Sequence, residues 1–174
     1  SYYDRLLFQR FEPLRLQFYY SFENPNKSQL YWTPTINFNA YDKVLLGVSL
    51  DNSSLVQKRF EYIIGPEYST GTGKLTGYSS FLYNITPRNS SLFHQIRIGL
   101  FGRYYHYDRD LAYTRISPSI KFYIKKPYPT SPVLQTFRLR MVHLNRELPK
   151  GYQAPENGLN TASYNVLNIT HKYE

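Results

Sequence analysis

The stretch RFEYIIGPEYSTGTGKL, residues 59–75, carries the glycines and the lysine that a phosphate-binding loop needs. Such a loop has the pattern G-x-x-x-x-G-K-[ST] and lies between a strand and a helix. Here Leu75, not Ser or Thr, follows the glycine–lysine pair, and Tyr68 stands five positions before Gly73. The residues that follow alternate as a strand does. The sequence therefore predicts a hairpin turn, in which Gly71 and Gly73 are free to adopt positive φ.

The other residues that could do chemistry form no recognisable site. No histidine lies in a recognisable zinc motif, H-E-x-x-H is absent, and there is no G-x-S-x-G elbow. We therefore expect no cofactor, no metal site and no catalytic residue, so the chain on its own is not predicted to be an enzyme. The histidines are predicted to be ordinary polar or interfacial residues: His94, His106, His143 and His171.

Composition limits the class of protein without choosing a partner. The chain has 174 residues, which suits one domain over residues 1–174, and it contains 19 Tyr and 11 Phe but no Cys. Its net charge of +9 favours an anionic partner, such as lipid headgroups or nucleic acid. There is no apolar run near 18 residues, so no transmembrane helix is predicted. The abrupt ends of the sequence lead us to expect a processed piece or a fragment of a longer protein.

Alternation with a period of two recurs along almost the whole chain. Each alternating run predicts a strand with one apolar and one polar face. Connections such as NAYDK (39–43) and STGTGK (69–74) are short enough for hairpins. The sequence thus predicts an all-β fold, an antiparallel meander of eight to ten long strands that forms all or part of an outer-membrane-type β-barrel.

Three features favour a barrel in a membrane over a sheet in water. The runs are longer than the five or six residues of a typical globular strand. Arg occupies the middle of polar faces, whereas Lys lies near turns, and Tyr and Trp cluster toward the ends of runs. We expect a polar network facing the barrel lumen: Arg15, Arg59, Glu61, Glu67, Arg97, Arg103, Arg115, Lys121, Arg138 and Arg140. We expect these side chains to face lipid: Leu16, Phe18, Phe60, Ile64, Ile98, Leu100, Ile120, Phe122 and Leu139.

Two further expectations concern residues inside these strands. The polar-face acids Glu61 and Glu67 are predicted to form ion pairs with arginines. Pro34, Pro66 and Pro118 fall on the apolar faces, and proline cannot donate to a ladder. Each proline must therefore lie at a bulge or near a strand end.

Alternation is also compatible with a soluble β-barrel or sandwich that binds lipid, glycan or nucleic acid. Binding of single-stranded nucleic acid would require aromatic rings interleaved with Arg on one surface. The aromatic residues are predicted to share the apolar face or the strand ends instead, so nucleic acid is not the expected partner.

Several stretches taken in order resemble one family. They are residues 30–87, FHQIRIGLFGRYYHYD (93–108), RISPSIKFYIKKP (115–127) and SPVLQTFRLRMV (131–142). The most specific elements in the first stretch are TPTINFNAYDK and LVQKRFEYIIGPEY. Together these stretches resemble the C-terminal region of large Bacteroidetes proteins that begin with a gluzincin, aminopeptidase-like metallopeptidase domain and continue into an outer-membrane-type β-barrel.

The resemblance implies a role for the chain and a place for it. It implies a barrel region in the bacterial outer membrane that anchors a peptidase domain of a longer parent. Its partners would be outer-membrane lipid and, in addition, other outer-membrane proteins or further strands of the same parent. Without H-E-x-x-H, the chain has no counterpart of the family's zinc ligands or general base, and no catalytic residue carries over.

Overall fold

The structure, a computed structural model, describes residues 15–18, 29–52, 57–88, 90, 92–108, 110–128, 130–151 and 162–173. They form nine β-strands. The bounds are β1 Arg15–Phe18, β2 Gln29–Asn39, β3 Lys43–Asp51, β4 Phe60–Ser69, β5 Leu75–Ile85, β6 Phe93–His106, β7 Ala112–Ile124, β8 Gln135–Arg146 and β9 Ser163–Tyr173. No helix in this described part is long and apolar enough to span a membrane.

The nine strands lie side by side in one sheet in the order of the chain. From β2 to β9 every neighbouring pair is antiparallel, which confirms the predicted meander. β1 is the exception, because it pairs with β2 in parallel. Within the described residues the sheet is open, with no ladder between β1 and β9.

The prolines lie where a missing N–H does little harm. The β3–β4 ladder is interrupted beside Pro66, and the β7–β8 ladder is interrupted beside Pro118. Pro34 pairs with β3, but it lies beyond residues 29–32, the part of β2 that β1 covers. The prediction that each proline lies at a bulge or near a strand end is wrong: all three lie inside strands, with no register shift beside them. Each sits instead beside a gap in a ladder or beside uncovered backbone, where no N–H donor is needed.

The glycine-rich stretch is the turn between β4 and β5, not a phosphate loop. Gly73 has φ +69°, a left-handed conformation that favours glycine. Gly71 is needed for a different reason: a Cβ there would lie 2.9 Å from the backbone of Asp42 in the β2–β3 turn. Lys74 lies 3.4 Å from Asp110 in an exposed ion pair rather than facing a phosphate cradle.

The pairing register assigns the strand residues to two faces. On one face Trp32, Leu50 and Ile64 are neighbours on successive strands, and on the other Gly47 lies beside Glu67. Because side chains alternate along a strand, these pairs fix the two faces through to β9. We call them the apolar face and the polar face.

The sheet curls at the end where the β2–β3 and β4–β5 turns lie. Asn39 at the end of β2 donates from Nδ2 to the backbone oxygen of His106 at the end of β6, at 3.0 Å. In a flat sheet these strands, four ladders apart, would be separated by about 19 Å. The polar face is on the inside of this curl, since Asn37, Glu67 and Arg103, from β2, β4 and β6, line one cavity of about 280 Å³.

Candidate functional site

The two faces have the reverse of the burial expected for a sheet in water. On the apolar face Ile36 and Phe38 remain 76% and 78% exposed. On the polar face Glu67 and Asn84 are only 4% and 7% exposed. Other buried polar side chains of the polar face are Gln17, Gln29, Asp51, Ser69, Thr76, Ser117 and Thr136. The described part of the sheet thus leaves its hydrophobic side uncovered and buries a set of polar side chains on the other, while β9 is exposed along its whole length.

Charge is confined to one face. Every Asp, Glu, Lys and Arg within the nine strands lies on the polar face by register: Arg15, Lys43, Asp51, Glu61, Glu67, Arg97, Arg103, Arg115, Lys121, Arg138, Arg140, Arg146 and Lys172. This set includes all the residues predicted to face a lumen except Arg59. Arg59 precedes β4, and its guanidinium lies 5.7 Å from the ring of Tyr83, a residue of the apolar face.

The residues predicted to face lipid share the apolar face. The register places all of them there: Leu16, Phe18, Phe60, Ile64, Ile98, Leu100, Ile120, Phe122 and Leu139. Sequence alternation therefore sorted these side chains between faces correctly.

An aromatic belt crosses the apolar face near one end of the sheet. Phe18 packs edge-on against Trp32 at 5.2 Å, and Phe60 stacks on Phe81 at 6.4 Å. Further along, Phe122 contacts both Phe93 and Phe137. At this same end the connections 52–59, 86–92 and 125–134 contain five cations and no Asp or Glu: Lys58, Arg59, Arg88, Lys125 and Lys126. We call this the cationic end of the sheet.

The acidic side chains of the polar face are held by amides. Glu67 accepts a hydrogen bond from Asn37 Nδ2 across β3, where Gly47 has no side chain to block it. Glu61 accepts from Asn84 Nδ2 at 3.1 Å. The predicted ion pairs between these acids and arginines are wrong: in the described ranges, neither carboxylate lies within 4.0 Å of an arginine nitrogen. Both asparagines share the polar face with these acids and reach them diagonally, because the residue directly opposite Glu61 is Leu82 and the one in line with Glu67 and Gly47 is Thr35.

The other half of the polar face, from β6 to β8, is basic. Arg97, Lys121 and Arg138 lie directly opposite one another on three successive strands, and Arg103 lies opposite Arg115. Like charges directly opposite each other destabilise a sheet. No acidic residue within these three strands offsets them. This half of the polar face is therefore a concentration of positive charge, in which Arg97 donates to Asn84 Oδ1 at 2.9 Å and Arg103 and Arg138 are exposed.

Aromatic rings pack beside some of these cations. Arg103 lies 4.9 Å from the Tyr105 ring, Lys121 lies 4.6 Å from the Tyr123 ring, and Arg115 lies over Phe101. Such contacts attract a cation without cancelling its charge. Tyr105 and Tyr123 lie at strand ends, as expected, but Phe101 lies inside β6 on the polar face, so the expectation that the aromatic residues keep to the apolar face or the strand ends is wrong there. Alternation could not reveal this, because these aromatic residues sit at positions where the pattern calls for polar ones.

A buried polar cluster joins the turns at the opposite end of the sheet. Asp42 in the β2–β3 turn is fully buried, with Oδ1 2.9 Å from His106 Nδ1 and Oδ2 accepting from the His106 backbone amide at 3.1 Å. Thr72 Oγ1 donates to Asp42 Oδ1, and Ser69 Oγ donates to the Asp42 backbone oxygen. Burial raises the pKa of Asp42, but hydrogen bonds from Ser69, His106 and Thr72 outweigh it and hold the pKa below 3.8.

This turn cluster is not a nucleophilic triad. The Ser69 hydroxyl is directed at the Asp42 backbone rather than at the His106 ring, so no base can activate it. The cluster instead ties the ends of β2, β4 and β6 together. Sequence reasoning missed it because Asp42 and His106 are 64 residues apart.

Neither a metal site nor a similarity to known proteins assigns a function to this arrangement. The described residues contain no group of His, Asp and Glu side chains that could hold a metal ion. Compared with known proteins, the chain matches no family, no curated protein and no solved structure.

Proposed function

We propose that this chain is a membrane-embedded β-sheet that forms part of an outer-membrane-type β-barrel and serves as an anchor. The observation that carries the proposal is the segregation of charge: an exposed face without a single charged strand residue lies opposite a polar, packed face that holds them all. In water such an arrangement exposes the side that hydration penalises. Against hydrocarbon it is the stable orientation.

Strand lengths and end groups support the same orientation. β2 to β9 have 9 to 14 residues each, and a tilted membrane strand needs about 9 to 11. The aromatic belt lies where an interfacial girdle is expected. The cationic end is suited to anionic lipid headgroups, because clustered Lys and Arg beside a membrane bind them electrostatically.

The alternative of a soluble binding module requires a second layer over the apolar face. In the part of the chain that the structure describes, only Tyr31, Leu45 and Ala112 are buried hydrophobic residues, and the register puts Tyr31 and Leu45 on the polar face. A sandwich would instead have the large aliphatic residues of the apolar face as its core. The membrane assignment needs no such additional layer.

The anchoring role and the bacterial outer membrane follow from the resemblance to metallopeptidase–barrel proteins. In a longer parent, further strands would extend the open edges β1 and β9, and the sheet would hold a peptidase domain at the membrane. The chain itself is proposed to have no enzymatic activity and to bind neither cofactor nor nucleic acid.

The chain's single tryptophan allows a direct test of which face meets lipid. Trp32 lies on the apolar face, and its neighbour Thr33 lies on the polar face at the same depth. We expect vesicles of dibrominated phosphatidylcholine to quench Trp32 emission strongly relative to unbrominated vesicles, because bromine quenches only on close approach.

The matched control moves the indole to the other face. In the double variant Trp32→Phe/Thr33→Trp the indole should lie on the polar face, and bromolipid quenching should fall several-fold. Equal quenching of both proteins, or none of either in vesicles that retain the chain, would refute the proposed orientation. Recovery of the folded chain in buffer without detergent would refute it as well.

A further inference from the structure

A pocket opens on the polar face between β5, β6, β7 and β8. It has a volume of about 350 Å³, within the range of about 300–1,000 Å³ typical of small-molecule sites. Three arginines line it, Arg115, Arg138 and Arg140, together with the hydroxyls of Ser117 and Ser119. We call it the arginine–serine pocket. No carboxylate is among its lining residues.

The donors of the arginine–serine pocket lack protein acceptors. The guanidiniums of Arg138 and Arg140 make no hydrogen bond or ion pair with any residue that the structure describes. Arg115 Nε is buried without an acceptor among those residues. Buried donors are nearly always paired in folded proteins, and a charged one is costly to leave unpaired. Arg138 is exposed and Arg140 is half-buried, so solvent can reach both guanidiniums. The buried Arg115 Nε is the arginine donor of this pocket for which the described residues supply no acceptor.

A second unpaired donor in the same pocket gives independent evidence. Ser117 is 3% exposed, and its Oγ has no hydrogen-bond partner among the described residues. It lies two residues from Arg115 on the same face of β7, and Ser119 lies directly opposite Arg140. Hydroxyl and guanidinium donors therefore converge on one space, and a ligand with several acceptor atoms would satisfy them together.

We propose that the arginine–serine pocket binds a tetrahedral oxyanion, a phosphate group, carried either by free phosphate or by a lipid headgroup. Guanidinium forks match the spacing of phosphate oxygens and bind them in bidentate fashion. The negative charge offsets the repulsion among Arg115, Arg138 and Arg140, and the remaining phosphate oxygens accept from Ser117 and Ser119. The site is defined by the polar face alone and does not depend on what covers the apolar face.

Calorimetric titration of the detergent-solubilised chain tests the proposal, in a buffer free of phosphate and sulfate. The probes are inorganic phosphate and a short-chain phosphatidic acid in mixed micelles, with phosphatidylcholine as the neutral comparison. We expect saturable binding of at least one phosphate probe, weakened by added salt. Binding of the lipid probe alone assigns the phosphate to a headgroup. Binding of both with mutual competition assigns it to the phosphate group itself.

Two variants remove pocket donors in different ways. Arg140→Gln should weaken phosphate binding about tenfold or more, because it removes a charged donor. Ser117→Ala should weaken it by roughly two- to tenfold. Ser117→Ala is nearly isosteric, so it keeps the test valid if Arg140→Gln does not fold. The matched control is Lys150→Gln, at an exposed position after β8, away from both the pocket and the cationic end; it removes one positive charge and should leave the affinity unchanged.

Two results would overturn the proposal. One is the absence of saturable binding for both phosphate probes. The other is an equal loss of affinity in Lys150→Gln and Arg140→Gln, which would show general attraction to a basic protein rather than a built site. Neither result affects the bromolipid experiment, so failure of this site and failure of the membrane orientation are distinguishable.

Discussion

A single charge placed in the middle of the apolar face would distinguish lipid from water around the sheet. Ile98 lies near the centre of β6, the longest strand, between Tyr83 of β5 and Ile120 of β7. It remains 45% exposed. In the variant Ile98→Arg, a guanidinium replaces the exposed part of this side chain and meets the medium, water or lipid, that contacts it.

The expected cost differs sharply between the two environments. Full burial of an isoleucine stabilises a protein by about 1.5–3 kcal/mol, so lipid contact with the 45% that the protein leaves exposed is worth about 0.7–1.4 kcal/mol. Burying the guanidinium in hydrocarbon adds to this loss, so an arginine on the lipid face at the midplane of a barrel destabilises the fold by about 2–4 kcal/mol in total. In water the same exposed substitution would change stability by about 0.5 kcal/mol or less.

The measurement is urea unfolding in phosphatidylcholine bilayers, followed by Trp32 emission. Leu75→Arg is the control, because Leu75 is 70% exposed on the same face but begins β5 at the end of the sheet. It should cost about 0–1 kcal/mol, since the penalty falls toward the interface. If Ile98→Arg costs no more than Leu75→Arg, the apolar face does not span hydrocarbon and the argument from charge segregation fails.

Two further substitutions test the polar face and the turn cluster. Gly47→Ala places a Cβ 2.8 Å from Glu67 Cγ and against the Pro66 backbone oxygen, so the urea midpoint should fall by the equivalent of about 1–3 kcal/mol; an unchanged midpoint would contradict this packing. Asp42→Asn weakens the hydrogen bonds to His106 and should destabilise the fold at pH 7 by about 1–3 kcal/mol. Because folding lowers the pKa of Asp42, its contribution is complete above about pH 4 and is lost as the pH falls through the folded-state pKa. The difference between wild type and variant, measured by unfolding from pH 7 to pH 2.5, should therefore shrink below pH 4, and a constant difference would refute the assigned cause.

The strands themselves were predictable because alternation is a local signal. Runs of apolar and polar residues around Val44–Leu50, Phe60–Tyr68 and Ile116–Ile124 each became one strand, within a few residues of the predicted ends. The turn at Gly73 followed from backbone freedom alone. The parallel pairing of β1 was not predictable in this way, because strand direction depends on the path of the connection and not on the pattern within the strand.

The partners of the charged residues were not predictable from alternation. The pattern indicated that Glu61 and Glu67 share a face with the arginines, but it did not indicate how many strands separate them. In the sheet, Asn84 and Asn37 lie nearer to these acids than any arginine does. Composition suggested ion pairs, and the register produced amide contacts instead.

The sequence by itself determined that the chain is a sheet with one charged and one uncharged face, because side chains alternate along every strand whatever surrounds it. Only the tertiary structure decided which strands are neighbours. The order and register of the strands bring Asp42 into contact with His106. They also place Arg115, Arg138 and Arg140 around one pocket that no carboxylate lines. Those contacts join residues far apart in the chain, and a pattern read along the chain contains no information about the distance between them.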